Sequence, residues 1–451
     1  MNIKLRLTFM SFLQLFVWGA WLLTIGTYCL NAKGWNSTQF GAIFSTMGLA
    51  SLFMPAITGI IADKWMNAEK LYGLLHIAYG LVLLIVPQIN NPDTLFYVIF
   101  VAMVFYMPTI SLSNSISYNI LKRNNFDVVK VFPPIRVWGT IGFIVALWVT
   151  NLSGSKANAN QFYIGAVMAI VLGIYSFSLP KCPPQKTISK NASIVEQLGL
   201  NAFKLFGSYK MALFFIFSLF LGAALQLTNM YGDTFLDDFK KMPYYADLIT
   251  KYNDVFKPHL HSIPHFFEKI KYIFHYPNLI PSLVIIYSTI IMSISQISET
   301  LFILAIPFFL KKFGIKNVML MSMIAWFLRF GLFAYGNPSD GLWMIILSCI
   351  VYGMAFDFFN ISGSLFVETT TDANIRSSAQ GLFMMMTNGF GAFLGSKISG
   401  IVIDKYFTHG TLKDWHNIWL SFSIYALVIA VLFSIMFRYK HSPEAVQNLR
   451  H

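Results

Sequence analysis

The sequence predicts an all-α integral membrane protein of twelve transmembrane helices arranged in two six-helix bundles. Of its 451 residues, 56% are hydrophobic and 11% are charged, and the mean hydropathy is +0.61. A soluble globule of this length is far less apolar. Apolar runs of about 20 residues, enough to cross a bilayer as a helix, recur along the chain, whereas the short alternating segments of a β-barrel are not seen.

Six apolar segments joined by short polar connections occupy the first half of the chain. They are residues 9–30, 39–61, 71–86, 95–121, 133–150 and 161–179. The first is longer than the ~7–15 residues of a signal-peptide core, and no small-residue cleavage site follows it. We therefore expect a retained first helix and an N-terminal six-helix bundle over residues 1–180.

Six further segments follow a basic, proline-interrupted stretch at residues 181–210. They are residues 211–234, 283–310, 318–335, 341–366, 379–403 and 418–437. We interpret residues 181–210 as a cytoplasmic linker, partly helical on the membrane surface at 194–206, and residues 211–451 as the C-terminal bundle. Two six-helix halves joined in this way are the layout of transporters built from parallel repeats.

The distribution of basic residues predicts the orientation. An even number of spans puts both termini on one side, and lysines and arginines concentrate in the short loops of that side, which is therefore cytoplasmic. This spread accounts for a net charge of +13 and a pI near 9.4 without a nucleic-acid-binding patch. The three cysteines, Cys29, Cys182 and Cys349, are scattered, so we expect no disulfide framework and no thiolate metal site.

The longest predicted outer connection is an extended loop at about residues 237–281. It carries six lysines, which long loops tolerate on the outer side. His259 and His261 form a His-x-His pair within it. Pro258 and Pro264 interrupt the spacing and no carboxylate falls in register, so we expect a solvated interfacial loop rich in aromatic residues rather than a metal site.

The stretch GIIADKW at residues 59–65, after the second segment, is a candidate cytoplasmic gate. Gly59 permits the close approach of another helix, and Asp63 and Lys64 are placed to pair across the gap between the halves. The alternative interpretation is a helix end followed by two loop charges. A similar stretch, GIVIDKY at residues 400–406, falls on the outer side of the predicted topology, and we assign it no role.

Glu299 lies inside an apolar run long enough to span the membrane, one turn after Gln296. An ionisable group at that depth costs several kcal/mol unless it is paired, wetted or protonated, so it marks a functional site by default. Other polar and aromatic residues recur three, four or seven positions apart and therefore share helix faces. The stripes are Arg136, Thr140 and Phe143 on the fifth helix, Gln226 and Asn229 on the seventh, Gln296 and Glu299 on the eighth, and Tyr352, Phe356 and Asp357 on the tenth.

Most of these residues also have a structural alternative. Single amides in a membrane bundle serve as interhelical hydrogen-bonding groups as often as ligand contacts, at about 0.6 kcal/mol apiece, and the aromatic rings taken alone fit ordinary packing. Arg136 and Asp357 also fit structural ion pairs. Arg329 and Lys397 lie nearer helix ends, and we expect them to extend to the membrane interface.

Together, the four helix faces describe a pocket for a small polar ligand with a flat face. Amides and a carboxylate suit vicinal hydroxyls, and aromatic rings suit a π-surface or the apolar face of a sugar. The sequence has no phosphate cradle and no arginine cluster, so a phosphorylated ligand is disfavoured.

Several strings along the chain are too specific to be generic membrane sequence. They are FVWGAW (16–21), GIIADKW (59–65), FPPIRVWGTIGF (132–143), LQLTNM (225–230), SISQISETLFIL (293–304), GIKNVM (314–319), YGMAFDFFNISGS (352–364) and MMTNGFG (385–391). Together they closely resemble the bacterial nucleoside:proton symporters of the major facilitator superfamily, over nearly the whole chain. The connection at residues 237–281 departs from the family in looking longer.

The resemblance implies a twelve-helix carrier that takes up purine and pyrimidine nucleosides, such as uridine, cytidine and adenosine, across the bacterial inner membrane. It implies symport with protons by alternating access, with the proton gradient as the energy source, no cofactor and no enzymatic activity. In that family the residues lining the nucleoside site fall on Arg136, Thr140, Phe143, Gln226, Asn229, Gln296, Glu299, Tyr352 and Phe356, and the aspartate at Asp357 is also important.

We expect Glu299 or Asp357 to take the proton, because removal from water favours the neutral form of a carboxyl group. Two alternative functions stay open at this point. One is a sugar or glycoside:proton symporter of the same fold. The other is a membrane-embedded enzyme or a non-transporting sensor, which the lack of a His/Asp or Ser/His pair at catalytic spacing disfavours.

Overall fold

The first six spans lie within residues 2–184 of a computed structural model, which also describes residues 200–262, 266–372 and 375–439. The first span is irregular: the helix Ile3–Gly19 ends in a turn, and the chain continues through Ile25–Thr27 and a π-helix, Tyr28–Ala32. The next five spans are Ser37–Ser51 continued by Met54–Lys64, Ala68–Ile85 continued by Val86–Gln88, Pro92–Arg123, Val128–Leu152 and Asn160–Ser176. Short connections make successive spans antiparallel.

The last six spans begin with Tyr209–Asp238, continued by Phe239–Lys241. The helix Ser288–Tyr335 is 48 residues long, but Gly314 within it has φ 77° and ψ 168°. That backbone conformation favours glycine, and it reverses the chain into an eighth span at 288–313 and a ninth at 315–335. The remaining spans are Leu342–Thr370, then Arg376–Met384 with Met385–Gly391 and Ala392–Tyr406, and finally Trp415–Met436.

Side-chain caps begin several spans. Asn36 and Gln39 form a reciprocal capping box at the second span, and Asn91 accepts from the backbone N–H of Thr94 at the fourth. Asp127 caps the fifth span and Asp414 the twelfth. These side chains satisfy backbone donors that the first turn of a helix leaves without a partner, so the spans start at polar residues outside the apolar runs.

The twelve predicted segments correspond to the twelve spans, and the predicted fold class is confirmed. Several spans extend beyond the predicted bounds, for example Pro92–Arg123 against 95–121, because capping residues and charged first turns do not register as apolar. Among the described residues, eight helices are long and apolar enough to cross a membrane, and one of them is the 48-residue helix that forms two spans. The first, sixth and eleventh spans are shorter or interrupted.

The segment at residues 237–281 is largely helical where it is described. The prediction of a solvated interfacial loop was therefore wrong about its secondary structure. It contains the helices Pro243–Lys251, Lys257–Ser262 and Phe266–His275, a π-helix at Tyr252–Phe256, the turn Pro277–Leu279 and the start of Ile280–Ile286. In the predicted linker, Leu200–Gly207 is a 3-10 helix. Residues 185–199, which include the first part of the surface helix predicted at 194–206, lie outside the described residues.

The two bundles meet most closely along the second and eleventh spans. We call the end of the bundles that carries the termini the inner end and the opposite end the outer end. A Cβ on Gly41 would lie 2.5 Å from the carbonyl oxygen of Ser396, and one on Gly48 would lie 2.4 Å from the backbone nitrogen of Phe393. Glycine therefore permits backbone contact between the bundles over the outer half of these spans.

Candidate functional site

The predicted site residues lie on spans that surround the interface between the bundles. The fifth span, which carries Arg136, Thr140 and Phe143, packs against the eighth, which carries Gln296 and Glu299. The residues of the seventh and tenth spans complete the set: Gln226, Asn229, Tyr352, Phe356 and Asp357. The structure therefore places predicted residues from both bundles on adjoining helices.

Three ionisable groups lie close enough at this interface to interact electrostatically. The carboxyl groups of Glu299 and Asp357 interact electrostatically with each other and with the guanidinium of Arg136. Arg136 belongs to the first bundle and both acids to the second. One guanidinium balances one carboxylate, so the second carboxylate requires a proton or a ligand donor.

Aromatic rings border these charges on both sides of the interface. Tyr352 and Phe356 are stacked in parallel, with ring centroids 5.9 Å apart and an interplanar angle of 5°. Trp326 meets the Tyr352 ring edge-on at 5.9 Å. In the first bundle, Trp18 meets Phe143 edge-on at 6.5 Å. The site thus offers flat apolar surfaces next to charged groups, which suits a ligand with both kinds of face.

Several polar atoms of the predicted site have no partner within the described residues. The side chains of Gln226 and Asn229 are half-buried. Gln296 Oε1 and Asp357 Oδ2 are fully buried and accept no hydrogen bond from any described residue. Because buried polar atoms are nearly always paired, such atoms indicate a place for a ligand or for water.

A small cavity of about 20 Å³ opens beside Phe356 and extends the set of polar residues. Its lining includes the amides of Asn360 and Asn388 and the ring of Phe359. These residues were not predicted, although Asn360 lies one helical turn after Phe356 and could have been found by the same spacing. Of the predicted residues, this cavity is lined by Phe356.

The outer end is closed by ion pairs and hydrogen bonds between the bundles. Lys156, in the connection after the fifth span, binds Asp237 at 3.0 Å and Asp233 at 3.8 Å on the seventh. The hydroxyl of Thr27 donates to Asp233 at 2.6 Å, and the amide of Asn31 donates to Asp237 at 2.8 Å. Burial disfavours the ammonium form of Lys156, but the two carboxylates outweigh it and raise the pKa of Lys156 above its ordinary value.

A second closure involves Asp404, near the end of the eleventh span. Its carboxylate accepts hydrogen bonds from the backbone N–H groups of Ser37 at 2.9 Å and Thr38 at 2.6 Å. These groups begin the second span, so an acid from one bundle caps a helix of the other. The stretch GIVIDKY was assigned no role because it lies on the outer side of the predicted topology, so this contact between the bundles was not predicted.

Gly59, in the predicted inner gate, makes no such close contact with the described residues. A Cβ on Gly59 would meet none of their atoms within 4 Å, and Asp63 and Lys64 are exposed at the end of their helix. The contrast with Gly41 and Gly48 on the same span shows that the described parts of the bundles approach each other more closely at the outer end than at Gly59. In this conformation, the close approach predicted at Gly59 is not made.

Arg329 does not extend to the membrane interface as we expected. Its side chain is fully buried, at 0% exposure. It lies between four spans, where hydroxyls, a carbonyl and two aromatic rings surround it. The expectation rested on position along the span, which does not reveal whether a face points toward lipid or toward other helices. Lys397, by contrast, is exposed.

The residues of the described ranges include no group of three or more His, Cys, Asp or Glu side chains able to hold a metal ion. The ring of His259 packs against Tyr272, with centroids 4.7 Å apart. The three cysteines are buried and unpaired.

Comparisons with known proteins agree with this geometry. The family model described as nucleoside H+ symporter matches residues 1–442. The nucleoside permease NupG of Escherichia coli (strain K12) is 46% identical over 454 residues, covering 100% of both chains. The xanthosine permease of the same strain is 46% identical over 449 residues, covering 99% of both. The crystal structure of the nucleoside transporter NupG matches with a TM-score of 0.84 and covers 98% of this chain and 100% of that one.

Twelve spans in two bundles, with a polar site between them and closure at one end, define a secondary transporter with the major facilitator superfamily fold. The chain is a multi-pass membrane protein, and it is a transporter rather than an enzyme. It belongs to the nucleoside:H+ symporter family. The predicted family and transport function are confirmed, and the competing sugar symporter and sensor interpretations lose their support.

Proposed function

We propose that this protein imports purine and pyrimidine nucleosides, including uridine, cytidine and adenosine, together with protons across a bacterial inner membrane. Both termini would lie in the cytoplasm, so that the inner end of the bundles is the cytoplasmic end. The observation that supports the proposal most directly is the packing of the fifth span, which carries Arg136, against the eighth, which carries Glu299, with Asp357 close enough for electrostatic interaction with both. A ligand bound there contacts both bundles, and this contact links its movement to their rocking.

The chemistry of the site residues supports nucleosides as the cargo. Gln226, Asn229, Gln296 and Glu299 supply donors and acceptors for the ribose hydroxyls or the base edges. The rings of Phe143, Tyr352 and Phe356 supply apolar faces for the base. Thr140 adds a hydroxyl on the face of the fifth span that carries Arg136 and Phe143. No cofactor is required, because the proton gradient supplies the energy.

Competition for uptake tests the substrate class. Cells that express the protein should take up labelled uridine, and excess cytidine or adenosine should abolish that uptake, because each presents a base and a ribose together. Free ribose or uracil should compete at least about 100-fold more weakly, since each leaves buried polar groups of the site unpaired. Equal competition by ribose would instead identify a sugar transporter, and a lack of uridine uptake would refute the proposal.

The outer closure gives a prediction about alternating access. Replacing Lys156 by methionine should shift the protein toward a form open at the outer end. Breaking a buried ion pair by removing one partner costs about 3–5 kcal/mol, and here the cost falls on the outward-closed form. Lys240→Met is the matched control, since Lys240 pairs with Asp237 on its own span rather than across the bundles.

Spin labels report this shift directly. Asn160→Cys and Asp340→Cys place labels at exposed outer positions of the two bundles, and the native cysteines are buried. The label distance should lengthen by several ångströms in Lys156→Met and stay at the wild-type value in Lys240→Met. An unchanged distance in both variants would show that Lys156 does not hold the outer end closed.

A further inference from the structure

Arg329 is a buried cation without a carboxylate partner among the described residues. Its Nη1 donates to the carbonyl oxygen of Ser348 at 2.7 Å, and its Nε lies 3.3 Å from Thr228 Oγ1. Both Nη atoms lie 3.4 Å from Ser295 Oγ. Removing a guanidinium from water is costly even when it is well hydrogen-bonded. A buried arginine held by neutral groups therefore needs an explanation beyond bundle stability.

The guanidinium also lies against the ring of a proposed site residue. Its central carbon is 4.5 Å from the ring centroid of Tyr352 and 5.1 Å from that of Phe333. Cation–π attraction is strongest where the cation is desolvated. The carbonyl of Ser348, to which Arg329 donates, lies one helical turn before Tyr352 on the same span. Arg329 thus restrains both the side chain of Tyr352 and the helix that carries it.

The other contacts of Arg329 precede site residues in the chain. Thr228 is followed by Asn229 on the seventh span, and Ser295 is followed by Gln296 on the eighth. Adjacent side chains on a helix point about 100° apart. When the hydroxyl of Thr228 or Ser295 faces Arg329, the side chain of the next residue therefore points in a different direction. One guanidinium therefore fixes three spans next to residues that we assign to the nucleoside site.

We propose that Arg329 is a positioning residue for the nucleoside site. It holds the Tyr352 ring in the orientation that stacks on Phe356, and it sets the amides of Asn229 and Gln296 relative to that ring. This inference rests on the proposed site residues. It assigns Arg329 no contact with the substrate, so its effect on binding is transmitted through Tyr352 and the two neighbouring hydroxyls.

The test uses the purified full-length protein in proteoliposomes and follows initial rates of labelled uridine uptake. Arg329→Gln removes the charge and most donors and should raise KM about tenfold, the scale of a desolvated cation–π contact. Vmax per transporter molecule should change less than KM does. The KM of Arg329→Lys should lie between those of Arg329→Gln and the wild type, because an ammonium group keeps a charge near the ring but lacks the planar set of donors of a guanidinium.

A double-mutant cycle with Tyr352→Leu separates positioning from general stability. If Arg329 acts through Tyr352, adding Arg329→Gln to Tyr352→Leu should raise KM by less than about twofold. A tenfold effect that persists in the Tyr352→Leu background would overturn the proposal, as would a wild-type KM in both Arg329 variants. A wild-type protein that takes up no nucleoside would instead refute the proposed function.

Milder variants keep the inference testable if Arg329→Gln does not fold. Ser295→Ala and Thr228→Val each remove one hydroxyl next to the guanidinium and should raise KM about two- to threefold, the scale of one weak hydrogen bond. Ser322→Ala is the matched control. Its hydroxyl binds the carbonyl of Ala355 between the ninth and tenth spans, and KM should stay at the wild-type value. Unchanged KM values in Ser295→Ala and Thr228→Val would contradict the proposal.

Discussion

Glu299→Ala is expected to reduce labelled uridine uptake by at least about 100-fold, and Gln226→Ala by about tenfold. Loss of a hydrogen bond to a charged group costs about 1.5–3 kcal/mol, and each 1.4 kcal/mol is about tenfold in affinity. Glu299 also takes part in the charge cluster with Arg136 and Asp357, so its removal leaves Arg136 opposite a single carboxylate. Uptake is measured in cells after equalising the amount of transporter in the membrane.

Glu368→Ala is the matched control for this loss. Glu368 is a carboxylate at the inner end of the tenth span, where it pairs with Arg376 at 3.1 Å. It has no place in the proposed site, so uptake should stay within about twofold of wild type, as expected for a surface ion pair. Wild-type uptake by both Glu299→Ala and Gln226→Ala would remove these residues from the substrate site.

The second large effect concerns energy coupling. At least one of the variants Glu299→Gln and Asp357→Asn should lose accumulation of nucleoside driven by a pH gradient while retaining exchange down a concentration gradient. An amide has nearly the shape of a protonated carboxyl group but cannot release a proton. Asp357 is buried with Oδ2 unpaired in the described structure, and Glu299 is half-buried, so we expect one of these carboxyl groups to change protonation as access alternates.

The comparison of the two amide variants decides which acid carries the proton. Loss of coupling in Asp357→Asn alone would assign substrate binding to Glu299 and proton binding to Asp357. Loss in Glu299→Gln alone would give one carboxylate both tasks and couple the fluxes directly. If both variants still concentrate nucleoside in proteoliposomes, the proton site lies elsewhere in the chain.

The spans could be predicted from the sequence because each is a local property of the chain. The length of an apolar run can be counted directly in the sequence, and Gly314 between two such runs separates the eighth span from the ninth. The stripes of polar and aromatic residues are equally local, since helical spacing alone places Gln296 and Glu299 on one face. The family resemblance then assigned them a substrate.

Contacts between distant parts of the chain could not be predicted in this way. Asp404 accepts hydrogen bonds from two backbone N–H groups that lie 367 and 366 residues earlier in the chain. Lys156 forms ion pairs with two acids on the other side of the linker. Arg329 reaches Thr228 across 101 residues. Periodicity describes the faces of one helix and does not tell which face of another helix lies opposite.

The residues near 237–281 show a different limit. Prolines and histidines within an aromatic-rich stretch indicated a loop, yet most of the described part forms short helices. Helix breakers such as Pro243 and Pro277 stand in the first turn of such elements, where proline is tolerated. The prolines therefore mark where helices begin rather than where helical structure is excluded.

Accumulation in sealed proteoliposomes tests the central claim most directly. The purified wild-type protein is reconstituted, a pH gradient is imposed with the outside acidic, and labelled uridine is followed with time. Internal uridine should rise above the external concentration, and a protonophore should return it to the external concentration. Uridine that only equilibrates, with no response to the gradient or to the protonophore, would contradict proton-coupled nucleoside transport by this protein.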